Sequence, residues 1–363
     1  MEELITRLSG REPLWLPRDE APLMFGRLRL SLNPASRPFP AHLAAPARLL
    51  EQEALLARLW PEGAPALQAR LEGVTAEQWE FLSERWLQEP LEAHPDARLL
   101  LAPGEERDWL LSGEDHLRLG WRGGEAALAE GAALLDREAL ALEADPGLAL
   151  GPAGERLVAN PFLCGSGCHV ALVLHLPALA WWGQVEEHLD PLFARGVSYR
   201  TWQEGFGDFL VLENVDGSVW PPPPGESRGP RRSGRPAGGG PAARTLGRLL
   251  EALRGLEEAE QAARHQLRKH RRLEVEDRVQ RALALCRSAR LMGYPELVEH
   301  LSLLRLGRQL AAAGWHFTLP EPPFSPLLLH LAPAHLSARS DAGLGGRQAA
   351  ALRARLLRAA LAE

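Results

Sequence analysis

The sequence predicts an α+β protein: a mainly antiparallel sheet flanked by helices, followed by an all-helical C-terminal part. Three observations carry this. Strand-like and helical runs mix through the first half without repeating a strand–helix–strand unit, which disfavours a doubly wound parallel sheet. A Pro/Gly/Arg-rich stretch at residues 218–243 interrupts the chain and offers nothing that can pack. Beyond it, Leu, Ala, Glu and Arg recur at helical spacing.

The elements follow in order. Phe25-Gly26-Arg27-Leu28-Arg29 places two arginines two apart, on one side of an extended segment. Residues 47–59 and 75–87 show helical spacing of Leu, Ala and Trp, whereas 99–102, 109–111, 170–176 and 209–212 read as strands. After Thr245, one long helix is expected over 246–290, with further helices at 295–312 and 348–362 around a proline-rich break at 320–326. The expected division is therefore 1–243 and 244–363. The apolar faces of the later helices must be buried on the first region or on a second copy of the chain.

Composition bounds the function. The chain has 363 residues, 45% hydrophobic and 24% charged, with a formal net charge of −6, as expected of a globular protein without a general polyanion-binding surface. Three cysteines build no disulfide framework, and Cys164, Cys168 and His169 lack a second ligand pair at zinc spacing. The longest apolar stretch, near 170–182, is too short to span a bilayer, and no signal core opens the chain. The expectation is a cytoplasmic protein with no membrane contact. The basic insert reads as a solvated low-complexity segment rather than a nucleic-acid surface.

The most informative run is Gly113-Glu114-Asp115-His116-Leu117-Arg118-Leu119. Read as a strand, it puts Ser112, Glu114, His116 and Arg118 on one face and Asp115, Leu117 and Leu119 on the other. That wet face holds an acid/base group and a phosphate-type ligand; it is equally an ion-paired edge strand. The Arg27–Arg29 pair can clamp phosphate oxygens with guanidinium forks or simply line an exposed strand. Gly165-Ser166-Gly167, just before a strand, permits close backbone approach to a ligand or forms an ordinary turn.

In order along the chain these segments resemble the guanido (phosphagen) kinase superfamily, most closely its bacterial protein-arginine kinase branch. Arg27-Leu28-Arg29 with Asn33 and Pro38-Phe39-Pro40 is similar to the family's opening arginine motif. Glu114 to Arg118 resembles its Asn-Glu-Glu-Asp-His-x-Arg segment, and Gly165-Ser166-Gly167 through His175-Leu176-Pro177 its glycine turn and following strand. Glu274 to Val279 and Arg305-Leu306-Gly307 are similar to motifs of the helical part that sets the bacterial branch apart.

The resemblance implies a guanido-kinase catalytic domain and transfer of the ATP γ-phosphoryl to a guanidinium nitrogen, mainly by positioning and charge neutralisation. It implies ATP or ADP with Mg²⁺, a protein substrate or regulatory protein partner, and a homodimer through the C-terminal helices. Arg27, Arg29 and Arg118 match phosphate-binding arginines, Arg200 matches a later nucleotide-side arginine, and His116 matches a nucleotide-side position. Glu114 matches a substrate carboxylate and base.

Departures from the pattern are numerous. Asn160 stands at the cysteine position, His169 replaces an arginine, Gly113 replaces the first glutamate and Leu32 the third opening arginine. In the loop from Arg200 to Asp208, Glu204 aligns with the earlier of two glutamates, leaving Asp208 as a poorly placed substitute for the second. The C-terminal phosphoarginine-binding motif aligns with residues 344–349, where Arg347 is shifted by one. Two expectations follow: a protein-arginine kinase with a partly degraded site, or a pseudokinase that binds nucleotide or a partner protein as a regulator or scaffold.

Overall fold

In the Leu-Met-Phe-Gly-Arg-Leu-Arg-Leu-Ser-Leu run, Leu28, Leu30 and Leu32 alternate with Arg27, Arg29 and Ser31, and the segment forms the strand β1 (Leu23–Leu32). The computed structural model describes residues 1–17, 21–60, 65, 67–87, 93–144, 147–152, 154–202, 208–215, 239–312, 314–315, 319–320, 324–340 and 344–362. Among these, seven further strands join β1: β2 (Leu67–Arg70), β3 (Ala93–Leu101), β4 (Arg107–Gly113), β5 (Leu117–Gly123), β6 (Cys168–His175), β7 (Val197–Thr201) and β8 (Phe209–Asn214). They form one sheet in the order β2-β3-β4-β5-β1-β6-β8-β7. Every neighbouring pair is antiparallel.

One face of the sheet is apolar across its middle strands. Leu28, Leu30, Leu117, Leu119, Val170, Leu172, Leu210 and Leu212 belong to the main core, and α4 (Glu125–Ala144) and α7 (Pro241–His270) pack over them. The opposite face is apolar at the β2–β4 end, where Ala69, Leu99, Leu101 and Leu110 meet α1 (Glu2–Ser9) and α3 (Ala76–Glu84) through Leu4, Leu8, Phe81 and Leu82. Its middle carries arginines.

The α+β reading holds, with local corrections. The run 113–119 is no single strand. β4 ends at Gly113, β5 begins at Leu117, and residues 114–116 form the bend between them. Ser112 takes φ +52, a left-handed turn conformation, and its N–H donates to the His116 carbonyl at 3.0 Å. The alternation of faces therefore breaks at the charged residues. Likewise 246–290 is two helices, α7 and α8 (Arg272–Ser288), broken at Arg271 with φ −132 and ψ 22. Five basic residues in succession, Arg268 to Arg272, supply no apolar anchor there, and like charges oppose continuing the helix. β7, α1 and α4 are strands and helices that spacing alone did not reveal.

α7 begins at Pro241, within the segment read as an insert; residues 216–238 lie outside those described. Proline suits a first helical turn, and Asp136 of α4 accepts the Ala242 and Ala243 N–H groups, each at 3.0 Å. α7, α8, α9 (Tyr294–Ala312) and α12 (Gly346–Ala360) bury Leu249, Leu253, Val279, Leu301 and Leu357 in a core continuous with the sheet. These residues are thus covered within the chain, while Leu273 and Leu285 of α8 stay exposed. No helix among the described residues is long and apolar enough to cross a membrane.

Candidate active site

β1 sits inside the sheet with Arg27, Arg29 and Ser31 on its polar face and Leu28, Leu30 and Leu32 in the core. Register fixes their neighbours: Ser31 lies opposite Arg118 of β5, and Arg29 opposite His169 of β6. Glu213 of β8 lies opposite Ala171 of β6. These side chains therefore share one face and open into a cleft of about 550 Å³. Arg27, Arg29, Glu114, Arg118, His169 and Arg200, far apart in sequence, all line it.

The arginines are held by their backs. The Arg27 guanidinium lies 5.1 Å from the Trp86 ring centroid, a cation–π contact. Arg29 donates from Nη2 to the Leu87 carbonyl at 3.2 Å. Both are almost wholly buried as residues, so their charge bears on the cleft through little intervening water.

The 114–116 bend is pinned from behind. Asp115 Oδ1 accepts from Asn33 Nδ2 at 2.6 Å and from the Ala159 N–H at 2.8 Å, while Asn33 Oδ1 accepts the His116 N–H at 2.9 Å. The His116 ring is turned away from the cleft: Nε2 meets the Pro38 carbonyl at 2.8 Å and Nδ1 meets Glu51 Oε2 at 2.8 Å. His116 is therefore absent from the cleft lining, contrary to its nucleotide-side expectation, because both ring nitrogens are used to fasten the bend. The exposed Glu114 is left lining the cleft.

The glycine turn approaches β1 rather than standing open. Gly167 has φ +66, and a Cβ there would lie 2.9 Å from the Ser31 carbonyl oxygen, so glycine is required. Its own carbonyl accepts the Ser31 N–H at 2.8 Å, and Ser166 Oγ accepts the Cys168 N–H at 3.0 Å. Asn160 also lines the cleft, with its Oδ1 accepting the Phe162 N–H at 3.0 Å.

Asp208 does not line the cleft: its Oδ2 accepts from Ser302 Oγ of α9 and lies 3.7 Å from His175 Nε2. It is a tie between the sheet and the C-terminal helices, and its neighbours hold its carboxyl low despite burial. Glu204 lies outside the described residues. Glu213, which sequence reasoning missed, does line the cleft. Its Oε2 is 3.4 Å from His169 Nε2 and its Oε1 is 3.5 Å from Arg200 Nε. Burial pushes its carboxyl up, but the hydrogen bond and charge of His169, then the charges of Arg200 and Arg27, hold it below the usual range. The signal was present: a glutamate closing the otherwise apolar strand Phe209-Leu210-Val211-Leu212.

Among the described residues, no group of three or more His, Cys, Asp or Glu side chains is placed to hold a metal ion. Asp115 already spends one oxygen on two donors.

The family model described as "Protein-arginine kinase McsB C-terminal domain" matches residues 272–363. The protein-arginine kinase of Symbiobacterium thermophilum is 27% identical over 382 residues, covering 99% of this chain and 98% of that protein. That of an Exiguobacterium species is 27% identical over 288 residues, covering 77% and 76%. Among solved structures, a lombricine kinase aligns at TM-score 0.48 and 16% identity over 70% of each chain. A duplicated taurocyamine kinase from Schistosoma mansoni with bound transition-state-analogue components aligns at TM-score 0.49 and 14% identity, over 66% of this chain. The chain spans about a third, 32%, of that duplicated protein.

Proposed function

This chain belongs to the guanido kinase superfamily, on its protein-arginine kinase branch, and from that premise we propose that the cleft is an ATP:guanido phosphotransferase site acting on protein arginine. The observation that supports this best is the convergence of Arg27, Arg29, Arg118 and Arg200 on one cleft with Glu114 at its lining. Guanidinium groups fixed by packing offer a phosphate chain donors without reorganisation, which is most of what phosphoryl transfer asks of a protein.

In this reading the substrate guanidinium faces Glu114. The guanidinium nitrogen forms a bond to the γ-phosphorus of ATP as the bond from that phosphorus to the β,γ-bridging oxygen breaks. ADP leaves, and the nitrogen's proton passes to the Glu114 carboxylate. Arg27, Arg29 and Arg118 neutralise phosphate charge. Mg²⁺, arriving with the nucleotide, would supply further neutralisation. The division at 243/244 is kept as part of the proposal, with the helical part serving to carry partner contacts or a homodimer interface; the setting is the cytoplasm.

A second reading is supported by the residues that the cleft lacks. Asn160 and His169 replace a thiol and an arginine, Gly113 removes a carboxylate, and Asp208 is committed elsewhere. Each lost positioning group can cost on the order of 10²-fold in rate, although losses in one site do not simply multiply. That describes a pseudokinase retaining nucleotide or partner binding.

One experiment separates them: labelled Mg-ATP with an arginine-rich protein, comparing the natural chain with Glu114→Gln. Acid-labile label that vanishes in the variant establishes the kinase. If neither incorporates label while Mg-ADP raises the melting temperature, the pseudokinase reading stands. If label is equal in both, Glu114 has no part in the chemistry and the assignment of its role fails.

A further inference from the structure

Glu213 has no part in the reaction proposed above, yet it stands where that reaction needs positive charge. It projects from β8 into the cleft and spans His169 and Arg200, 3.4 and 3.5 Å away. Both partners line the same cleft as Arg27, Arg29 and Arg118. Among the described lining residues, leaving histidine aside, four arginines face three carboxylates (Glu114, Asp115 and Glu213), a surplus of one positive charge. Without Glu213 the surplus doubles.

We propose that Glu213 is a specificity-determining residue that sets how much negative charge the cleft accepts. A phosphate chain reaching Arg200 must either displace this carboxylate from its cation or lie beside it. Either way the penalty grows with the charge of the incoming chain, so the cleft favours anions carrying fewer phosphates. The carboxylate is about three-quarters buried, with side-chain exposure of 23%, so solvent screens it only in part. It stays ionised near neutral pH, since its neighbours hold its carboxyl low. This inference rests on the reading that the cleft takes nucleotide phosphates.

The test is a charge ladder on one nucleoside. Dissociation constants for ATP, ADP and AMP, without added divalent metal, are measured calorimetrically on the natural chain, on Glu213→Gln and on Glu213→Ser. Circular dichroism and melting curves select whichever variant keeps the fold. A charge within about 4–6 Å commonly shifts an ionic equilibrium by one to three powers of ten. The expected result is therefore ATP binding at least ~10-fold tighter in the variant, a smaller gain for ADP and the smallest for AMP. If the natural chain binds nucleotide and the variant binds all three equally or more weakly, Glu213 merely supports its strand; the inference fails while the nucleotide reading survives. Binding of none of the three by any of these proteins overturns both. ATP binding by the variant alone upholds the inference and removes nucleotide binding from the natural chain.

Discussion

At the scale of single residues, the candidate site depends on side chains that touch no substrate. Asn33 receives no signal from spacing, yet it joins Asp115 to the His116 backbone and so fixes the bend that presents Glu114. Its replacement leaves a buried carboxylate oxygen with one donor fewer and a buried N–H without its acceptor. Asn33→Ala is expected to lower stability by about 1–3 kcal/mol, read from the urea midpoint at unchanged slope. A loss under ~0.5 kcal/mol, the range of neutral surface changes, would show that the bend holds itself. The residue types at Arg27, Arg29, Glu114, Arg118, His169 and Arg200 were legible in the sequence, as was their shared chemistry. The direction of His116 was not. Its position suggested a wet face, but a left-handed Ser112 turns the chain and the carboxylate of Glu51, more than sixty residues earlier, captures the ring.

At the scale of elements, the glycine turn before β6 offers a graded comparison. Gly167 and Gly147 both have positive φ, +66 and +84, but only Gly167 has no room for a Cβ. Gly147→Ala carries the backbone strain alone, about 1–2 kcal/mol, whereas Gly167→Ala adds a collision with the Ser31 carbonyl. The ordering of the two melting temperatures checks this, and equal losses would mean that β1 moves aside freely. The strands themselves were readable where apolar residues ran together, as in β6 and β8. β7, with Ser198, Tyr199 and Arg200 only half-buried or exposed, lies at the sheet edge and shows no such run. The long helix reading failed at Arg271 because helical spacing says nothing about where a helix must turn to pack.

At the scale of the whole molecule, buried carboxylates join the two parts. Among the described helices that open on a residue with no capping side chain and a proline in the first turn are α5 (Pro177–Trp182), α7 and α11 (Pro333–Ala338). Each is capped from elsewhere. Glu260 of α7 accepts the Ala178 and Leu179 N–H groups at 3.1 and 2.9 Å, and Glu84 of α3 accepts those of Ala334 and His335 at 2.9 and 3.1 Å. Asp136 does the same for α7. Glu260→Ala is expected to cost roughly 2–5 kcal/mol, since it also strands Arg264 beside an empty space. A midpoint unchanged in denaturant would refute this.

The contribution of His175 to stability should fall on acidification below neutrality. Burial pushes the His175 imidazole down to about 4, and a nearby Arg305 adds to this against the pull of Asp208. The unfolded chain takes up that proton near pH 6.5, the folded chain only near 4, so between these values the unfolded state binds more protons. Each such group removes at most ~1.4 kcal/mol per pH unit as pH drops through that window, and nothing further below it. Melting temperature against pH should show this fall, with a shallower slope in His175→Asn.

The sequence by itself determined the α+β class, most of the residue types that line the cleft and the helical character of the C-terminal part. These depend on local patterns: alternation, helical spacing, and arginines two apart on a strand. Tertiary structure decided which of the charged residues meet. Register across β6, β8 and β7 brought Glu213 to His169 and Arg200, and packing sent Asp208 to Ser302 and His116 to Glu51. Electrostatic interactions depend on separation and burial, which chain order does not contain. Which groups the cleft contains was therefore largely written in the sequence, but its charge balance was set by the fold.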